Sequence, residues 1–234
     1  MSIIHLSEAL FYDVDDIRDK SKTIAAVSNG IDEVLPSYGN SKPVKLTFVY
    51  LSNLVRAKGA DILLKSAKVV QKSHPDRFNV KIIGKQSNPA YSQELESLIT
   101  PDLENSVQFL GPLYDQAKFD ELLSSHVFIL PTKNDCFPLS ILEAMAARLA
   151  VISTTQGAIP DIVDHGVTGE ILNETSVEAL AASMIRFIED YSYCDACALS
   201  GRKKFELKYT KEIFETSLTL ELKRLTTRVY RHRL

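Results

Sequence analysis

Short apolar, β-branched runs alternate with helix-period patterns along most of this chain, and few folds accept that rhythm. Residues 44–50 (VKLTFVY) read as a strand. Residues 60–70 follow, with Ile62, Leu63, Ala67 and Val70 at helical spacing. Residues 79–83 form the next predicted strand, ending at Gly84, and 92–99 a short helix. Residues 107–110 read as a strand closed by Gly111, and Asp115 as the N-cap of a helix to Leu123. The pattern continues through a strand over 127–130, a helix starting at Pro138, and strands over 150–153 and 168–172. Helices are expected over 176–189, 193–207 and 211–229. Alternation at this spacing predicts right-handed βαβ units in an α/β, Rossmann-like, doubly wound parallel sheet. In such sheets ligands lie at the carboxyl ends of the strands. Loops 52–59, 84–90, 111–114, 131–140 and 154–160 are therefore expected on one rim.

The loop before the helix at Pro138 holds the most chemistry. Asp135 and Glu143 stand eight residues apart, one in a polar loop after the apolar strand and one on the second helical turn. Pro138 suits the first helical position, where its missing N–H costs nothing. The amides of Leu139 and Ser140 should then point out of the helix N-terminus, a ready anion site. A phosphate cradle with an acceptor on each side suits a sugar nucleotide. The plainer alternative is a capped amphipathic helix with two solvated acids. Lys58, before Gly59, adds an ammonium that can pair with phosphate beside a backbone that permits close approach.

Composition narrows the class. With 234 residues, 45% hydrophobic and 24% charged, the chain is an ordinary globular sequence. The N-terminus lacks the basic region of a signal peptide, and no apolar run nears the ~18 residues of a spanning helix. The expected location is cytoplasmic. Three cysteines argue against a disulfide framework. Cys194 and Cys197, one turn apart, read as packing, since neither a second pair for zinc nor a preceding strand accompanies them. The five histidines show no metal-ligand spacing, so no metal and no cofactor is expected. Neither a G-x-G-x-x-G fingerprint nor a Walker loop is present. Net charge is −3, yet residues 202–234 hold ten Lys/Arg against four Glu, leaving −9 on the rest. That basic end is either a peripheral contact with anionic membrane or an acidic partner, or a solvated helix terminus. No nucleic-acid partner is expected.

Five segments, in order, resemble the retaining glycosyltransferases of family 4 with GT-B architecture. Val27-Ser28-Asn29-Gly30-Ile31-Asp32 is similar to the family's N-G-[IV]-D crossover. Residues 52–59 (SNLVRAKG) resemble its G-R-L-x-x-x-K-G loop, and Asp135 with Glu143 its E-x7-E motif. Residues 156–163 (QGAIPDIV) and 166–169 (GVTG) match its G-G-[IV]-P-E-[IL]-[IV] and G-x-[TN]-G segments. The resemblance covers about 24–225, the C-terminal half of such an enzyme. It implies that residues 24–234 are the nucleotide-sugar-binding domain and 1–23 a remnant or linker from a preceding one. Lys58 would bind the donor diphosphate and Glu143 the ribose hydroxyls. Asp135 would sit near the transferred sugar, and Phe137, Pro138, Leu139 and Ser140 would contact phosphate or sugar. Gly84, Lys85, Leu110 and Gly111 would border the base.

Three residues depart from the family pattern: Asn53 stands where Arg is usual, Asp135 shortens a Glu, and Cys136 replaces a common Gly. Asn53 still belongs to the expected phosphate loop, with Arg56 the nearest cation that could stand in. The family's other half, which binds acceptor and closes the cleft, is not recognisable here. The expected function is thus the donor-binding half of a retaining glycosyltransferase of polysaccharide or glycoconjugate synthesis. It would use a UDP- or GDP-linked sugar and be inactive alone. The alternatives are a non-catalytic nucleotide-sugar-binding or interaction module, and, more weakly, a GT-B sugar-nucleotide epimerase.

Overall fold

The computed structural model describes residues 2–5, 23–32 and 44–231. Most of the polar leading stretch therefore lies outside the described residues, as do His232, Arg233 and the side chains of Arg228 and Arg231 at the basic end. Strands β1 (Ser2–His5) and β2 (Thr23–Ala26) form a two-stranded parallel ribbon.

Six further strands make one all-parallel sheet. They are β3 (Leu46–Leu51), β4 (Phe78–Ile83), β5 (Val107–Gly111), β6 (Val127–Leu130), β7 (Ala150–Thr154) and β8 (Gly169–Leu172), in spatial order β5-β4-β3-β6-β7-β8. The chain winds outward from β3 in one direction, then returns and winds outward from β6 in the other. Right-handed crossovers running in opposite directions put their helices on opposite faces. Hence α1 (Ala60–Ser73), after β3, packs with α6 (Val177–Glu189) on one face. Helix α4 (Leu139–Ala146), after β6, packs with α7 (Tyr191–Lys208) on the other. The remaining helices are α2 (Pro89–Ser97), α3 (Asp115–Leu123), α5 (Ile159–Ile162) and α8 (Lys211–Arg231).

Coverage on both faces explains why the central strands read as unbroken apolar runs. All four residues of β6 and all five of β7 are buried. His126, just before β6, is buried too: its backbone N–H donates to Thr47 O at 2.8 Å, and its Nδ1 accepts from Thr47 N at 3.0 Å. Cys194 and Cys197 are buried thiols on α7, and burial pushes the Cys197 thiol up.

Helix starts differ from the sequence expectation in several places, and three of them have a clear local reason. Helix α2 begins at Pro89 rather than 92, because Asn88 Oδ1 accepts from the amides of Ala90 and Tyr91. Such a cap satisfies two otherwise orphaned donors. Asp115 is not an N-cap: Tyr114 holds that position in an extended conformation, and Asp115 is the first helical residue at φ +46°. Pro138 sits one place earlier than expected, as the N-cap of α4, with ψ 108°.

The end of α4 carries strain. Ala147 is its C-cap, and Arg148 follows at φ +58°. Arg148 N–H donates to Met145 O and Leu149 N–H to Ala144 O, both at 3.0 Å. This is a Schellman closure with arginine where glycine is usual. Left-handed backbone costs a non-glycine residue about 1–2 kcal/mol. The exposed Arg148–Asp195 pair, at 3.0 Å, returns less than about 1 kcal/mol. Arg148→Gly should leave the urea midpoint at or above that of wild type. Arg148→Val loses the same ion pair and puts a branched side chain at positive φ, so it should lose about 1–2 kcal/mol relative to Gly. Equal losses in both variants would show that the side chain, not the backbone, governs this turn.

Candidate functional site

The sheet order reverses between β3 and β6, and the crevice at their carboxyl ends is where doubly wound folds bind ligands. Two loops meet there. Residues Arg56–Lys58 after β3 form one turn of 3-10 helix, which ends at Gly59 in the left-handed conformation. The loop after β6 packs directly against it. Lys133 N–H donates to Ala57 O at 2.7 Å, and the Thr132 hydroxyl lies 3.2 Å from the same carbonyl. Any side chain on Gly59 would put its Cβ 2.2 Å from Pro131 O.

This packing brings Lys58 to Asp135. The Lys58 ammonium lies 2.6 Å from Asp135 Oδ2 and donates to Asn134 O at 2.9 Å. Both side chains are largely enclosed, 22% and 15% exposed. Asp135 is held from behind as well. Ala158 N–H donates to Cys136 O at 2.8 Å, and Gly157, at φ +55°, lies so close that a Cβ would sit 2.3 Å from Asp135 O.

Phe137 and Pro138 are buried, and the Phe137 ring meets Tyr209 edge-on at 6.4 Å. Leu139 is 45% exposed, and Ser140 is half-buried. The amides of Leu139 and Ser140 open the first turn of α4, which has no side-chain cap. Glu143, one turn on, is not with Lys58. Its Oε1 accepts from the Lys118 ammonium on α3 at 2.6 Å, with both side chains under 20% exposed. Glu143 also lines a cleft of about 440 Å³ with Phe119, Phe214 and the Gly30–Ile31–Asp32 segment. A second cleft of about 610 Å³, between α5, α7 and the start of α8, is lined by Val27, Ser28, Pro160 and Asp161 of the family-like segments but by none of the expected donor-binding residues.

The other loops join the same rim through their backbones. Ser52 N–H donates to Ile83 O, Leu54 N–H to Lys85 O and Gly84 N–H to Gly111 O, at 2.9–3.1 Å. Asn53 and Lys85 are exposed, and Leu110 and Gly111 half-buried. A Cβ on Gly84 would meet Ser52 O at 1.9 Å.

Arg56, the cation nearest position 53, is engaged with α2. It forms a two-pronged pair with Glu94 on α2 and lies 5.0 Å over the Tyr91 ring. Tyr91 in turn donates its hydroxyl to Asp61 Oδ1 at 3.0 Å. Burial works against ionised Asp61, but hydrogen bonds from Lys65 and Tyr91 outweigh it and hold the carboxyl below its usual range. This stabilisation is complete above the unfolded value and lost as pH falls through the lower folded one. Sequence reasoning missed Lys118, Thr132 and this Arg56–Glu94–Tyr91–Asp61 brace. Their partners lie 25 to 75 residues away, and no local spacing encodes such pairings. Among the described residues, no group of His, Cys, Asp and Glu is arranged to hold a metal ion. Likewise, none of their helices is long and apolar enough to cross a membrane.

An open, all-parallel sheet whose winding reverses beside a cation–carboxylate pair defines a doubly wound α/β domain. The profile of glycosyl transferases group 1 matches residues 36–204, so the chain belongs to that family. It is 31% identical over 175 residues, 72% of its length, to a GDP-mannose-dependent phosphatidylinositol monomannoside mannosyltransferase of Corynebacterium glutamicum. It is 26% identical over 186 residues, 77% of its length, to the amylovoran biosynthesis glycosyltransferase AmsK of Erwinia amylovora. The chain spans about half the length of the curated relatives it matches: 44% and 45% of these two. Among solved structures, the C-terminal domain of the Francisella tularensis group 1 glycosyl transferase LpcC aligns at TM-score 0.66 and 24% identity. That alignment covers 73% of this chain and 89% of that one. Anabaena HepE, solved with UDP, aligns at 0.80 and 21% identity, covering 94% of this chain and 63% of HepE. These likenesses establish the GT-B C-terminal-domain fold.

Gly59→Ala tests the junction of the two loops. A Cβ against Pro131 O must part the β3 and β6 loops, and the left-handed φ adds about 1–2 kcal/mol of strain. The variant should lose at least that much stability, and its fold should loosen first around Lys133 and Asn134, read by amide hydrogen exchange. Unchanged exchange there would show that the loops do not depend on each other.

Proposed function

We propose that this chain is the donor-binding half of a retaining glycosyltransferase that takes a nucleoside-diphosphate sugar. One arrangement supports the reading. Lys58 and Asp135 meet at the switch point, the uncapped amides of Leu139 and Ser140 follow at the start of α4, and Glu143 lies one turn along it. The order of these groups suits such a donor. The amides and Lys58 receive the diphosphate, one as a fixed dipole and the other as a point charge. Glu143 accepts the ribose hydroxyls. Asp135, already turned to Lys58, stands at the sugar side of the phosphates, where it can accept from a sugar hydroxyl. Asn53, Gly84, Lys85, Leu110 and Gly111 border the base. Phe137 and Pro138, whose side chains are buried, would meet the phosphate or sugar through their backbone.

Chemistry then follows from charge. As the sugar leaves, negative charge grows on the diphosphate, and preorganised donors stabilise it best where water is excluded. Retention needs the acceptor to attack from the face the diphosphate leaves. The second domain would present that acceptor and close the cleft. This domain alone leaves the sugar facing water. The same reading places the protein in the cytoplasm, which agrees with three cysteines that form no disulfide. On the same reading, the net positive charge of residues 202–234 would favour anionic lipid.

Because the relatives above include a GDP-mannose-dependent enzyme and a protein solved with UDP, both nucleotides are the first ligands to titrate. Calorimetry should show one of them binding. Glu143→Ala and Lys58→Ala should each weaken it by about 1.5–3 kcal/mol, the scale of charged hydrogen bonds. Unchanged affinity in both variants would reject the cradle. The chain alone should transfer no sugar beyond trace donor hydrolysis. Supplied with a matching acceptor domain, it should give product of retained anomeric configuration, and an inverted product would contradict the mechanism.

A further inference from the structure

Lys118 belongs to none of the motifs that define this family's site, yet it makes the tightest contact to Glu143. It projects from α3 across to α4, and the two charged groups are 19% and 18% exposed. The backbone around it is constrained. Helix α3 starts at Asp115, φ +46°, after Gly111 at φ +69°. Lys118 N–H donates to Tyr114 O at 3.3 Å, which closes the first turn and carries Lys118 one turn from that strained start. The ammonium also lies 4.7 Å from the centroid of the Phe119 ring, and Phe119 lines the same cleft as Glu143. A long flexible side chain is thus held at one place by a carboxylate and a ring.

We propose that Lys118 is a positioning residue for the nucleotide's ribose, acting through Glu143. This inference rests on the reading of Glu143 as the ribose acceptor. A carboxylate has about four lone-pair sites on two oxygens. Lys118 fills one site on Oε1 and fixes the rotation of the group, which leaves the sites that a vicinal diol needs. Without Lys118, a half-buried Glu143 would swing among rotamers and have to be ordered at each binding event.

The test compares Lys118→Met with wild type, using the nucleoside diphosphate that binds and its 2′,3′-dideoxy analogue. Lys118→Met keeps the stem's packing and removes the charge. Affinity for the ribose-containing nucleotide should fall three- to ten-fold. Affinity for the dideoxy analogue, which cannot use Glu143, should change less than two-fold. Lys118→Arg should restore most of the loss, because a guanidinium can also hold Oε1. Equal losses for both ligands would overturn the proposal in favour of a general structural role, and no loss for either would overturn it outright. Glu143→Ala, run in parallel, separates the two claims. If it weakens the ribose ligand while Lys118→Met does not, only the inference about Lys118 falls. If it has no effect, the reading of Glu143 falls first.

Discussion

The ion pair between Lys58 and Asp135 joins two loops that the sequence separates by 77 residues. It stands where the sheet reverses its winding, between the first strand of each half. Neither partner could hold its place alone. The Lys58 loop needs the left-handed turn at Gly59 to approach Pro131, and the Asp135 loop needs Gly157 behind it. Removing one charge would leave the other mostly enclosed and uncompensated, a loss that outweighs the small net gain of forming the pair. The pair therefore sets a geometry more than it adds stability. Helix α4 leaves the Asp135 loop in a fixed direction as a result, and Glu143 is carried with it.

Rigid parts support this junction from below and from one side. Below it lie β6 and β7, fully buried, with the hydroxyls of Ser153 and Thr154 donating at 2.8 Å to Leu130 O and Thr132 O. Beside it, Arg56 is tied to α2 through Glu94, and Tyr91 is tied to α1 through Asp61. An arginine so engaged cannot also reach phosphate without giving up its carboxylate. This explains how a loop lacking arginine at position 53 is still well fixed, and it leaves Lys58 as the loop's cation nearest the Asp135 side of the crevice.

The fold was legible because burial on both faces writes itself into composition. Runs such as 127–130 and 150–153, separated by helical patterns, leave a parallel sheet as the economical solution. Loops that follow strands could be assigned to one rim by topology alone, and on that rim Lys58 and Asp135 meet. Their pairings were not legible. The sequence suggested Lys58 facing phosphate and Glu143 facing ribose, yet the chain supplies each with an internal counter-charge. Asp115 shows a different failure. Its identity favours capping, but the extended Tyr114 takes the cap position and Asp115 accepts a left-handed φ instead. Tertiary placement of α3 overrode a local preference, and Lys118 is the residue that placement delivers to Glu143.

The central claim is that the crevice between β3 and β6 receives the nucleotide's phosphates. It is tested most directly by amide chemical-shift changes in the isotopically labelled chain during titration with UDP and with GDP. Saturable shifts should concentrate at Lys58, Gly59, Asp135, Leu139 and Ser140, with the two helix-start amides moving downfield as they acquire phosphate oxygens. Saturable binding whose shifts lie instead along the 610 Å³ cleft at Asp161, Lys204 and Lys208, with Leu139 and Ser140 unmoved, would contradict it.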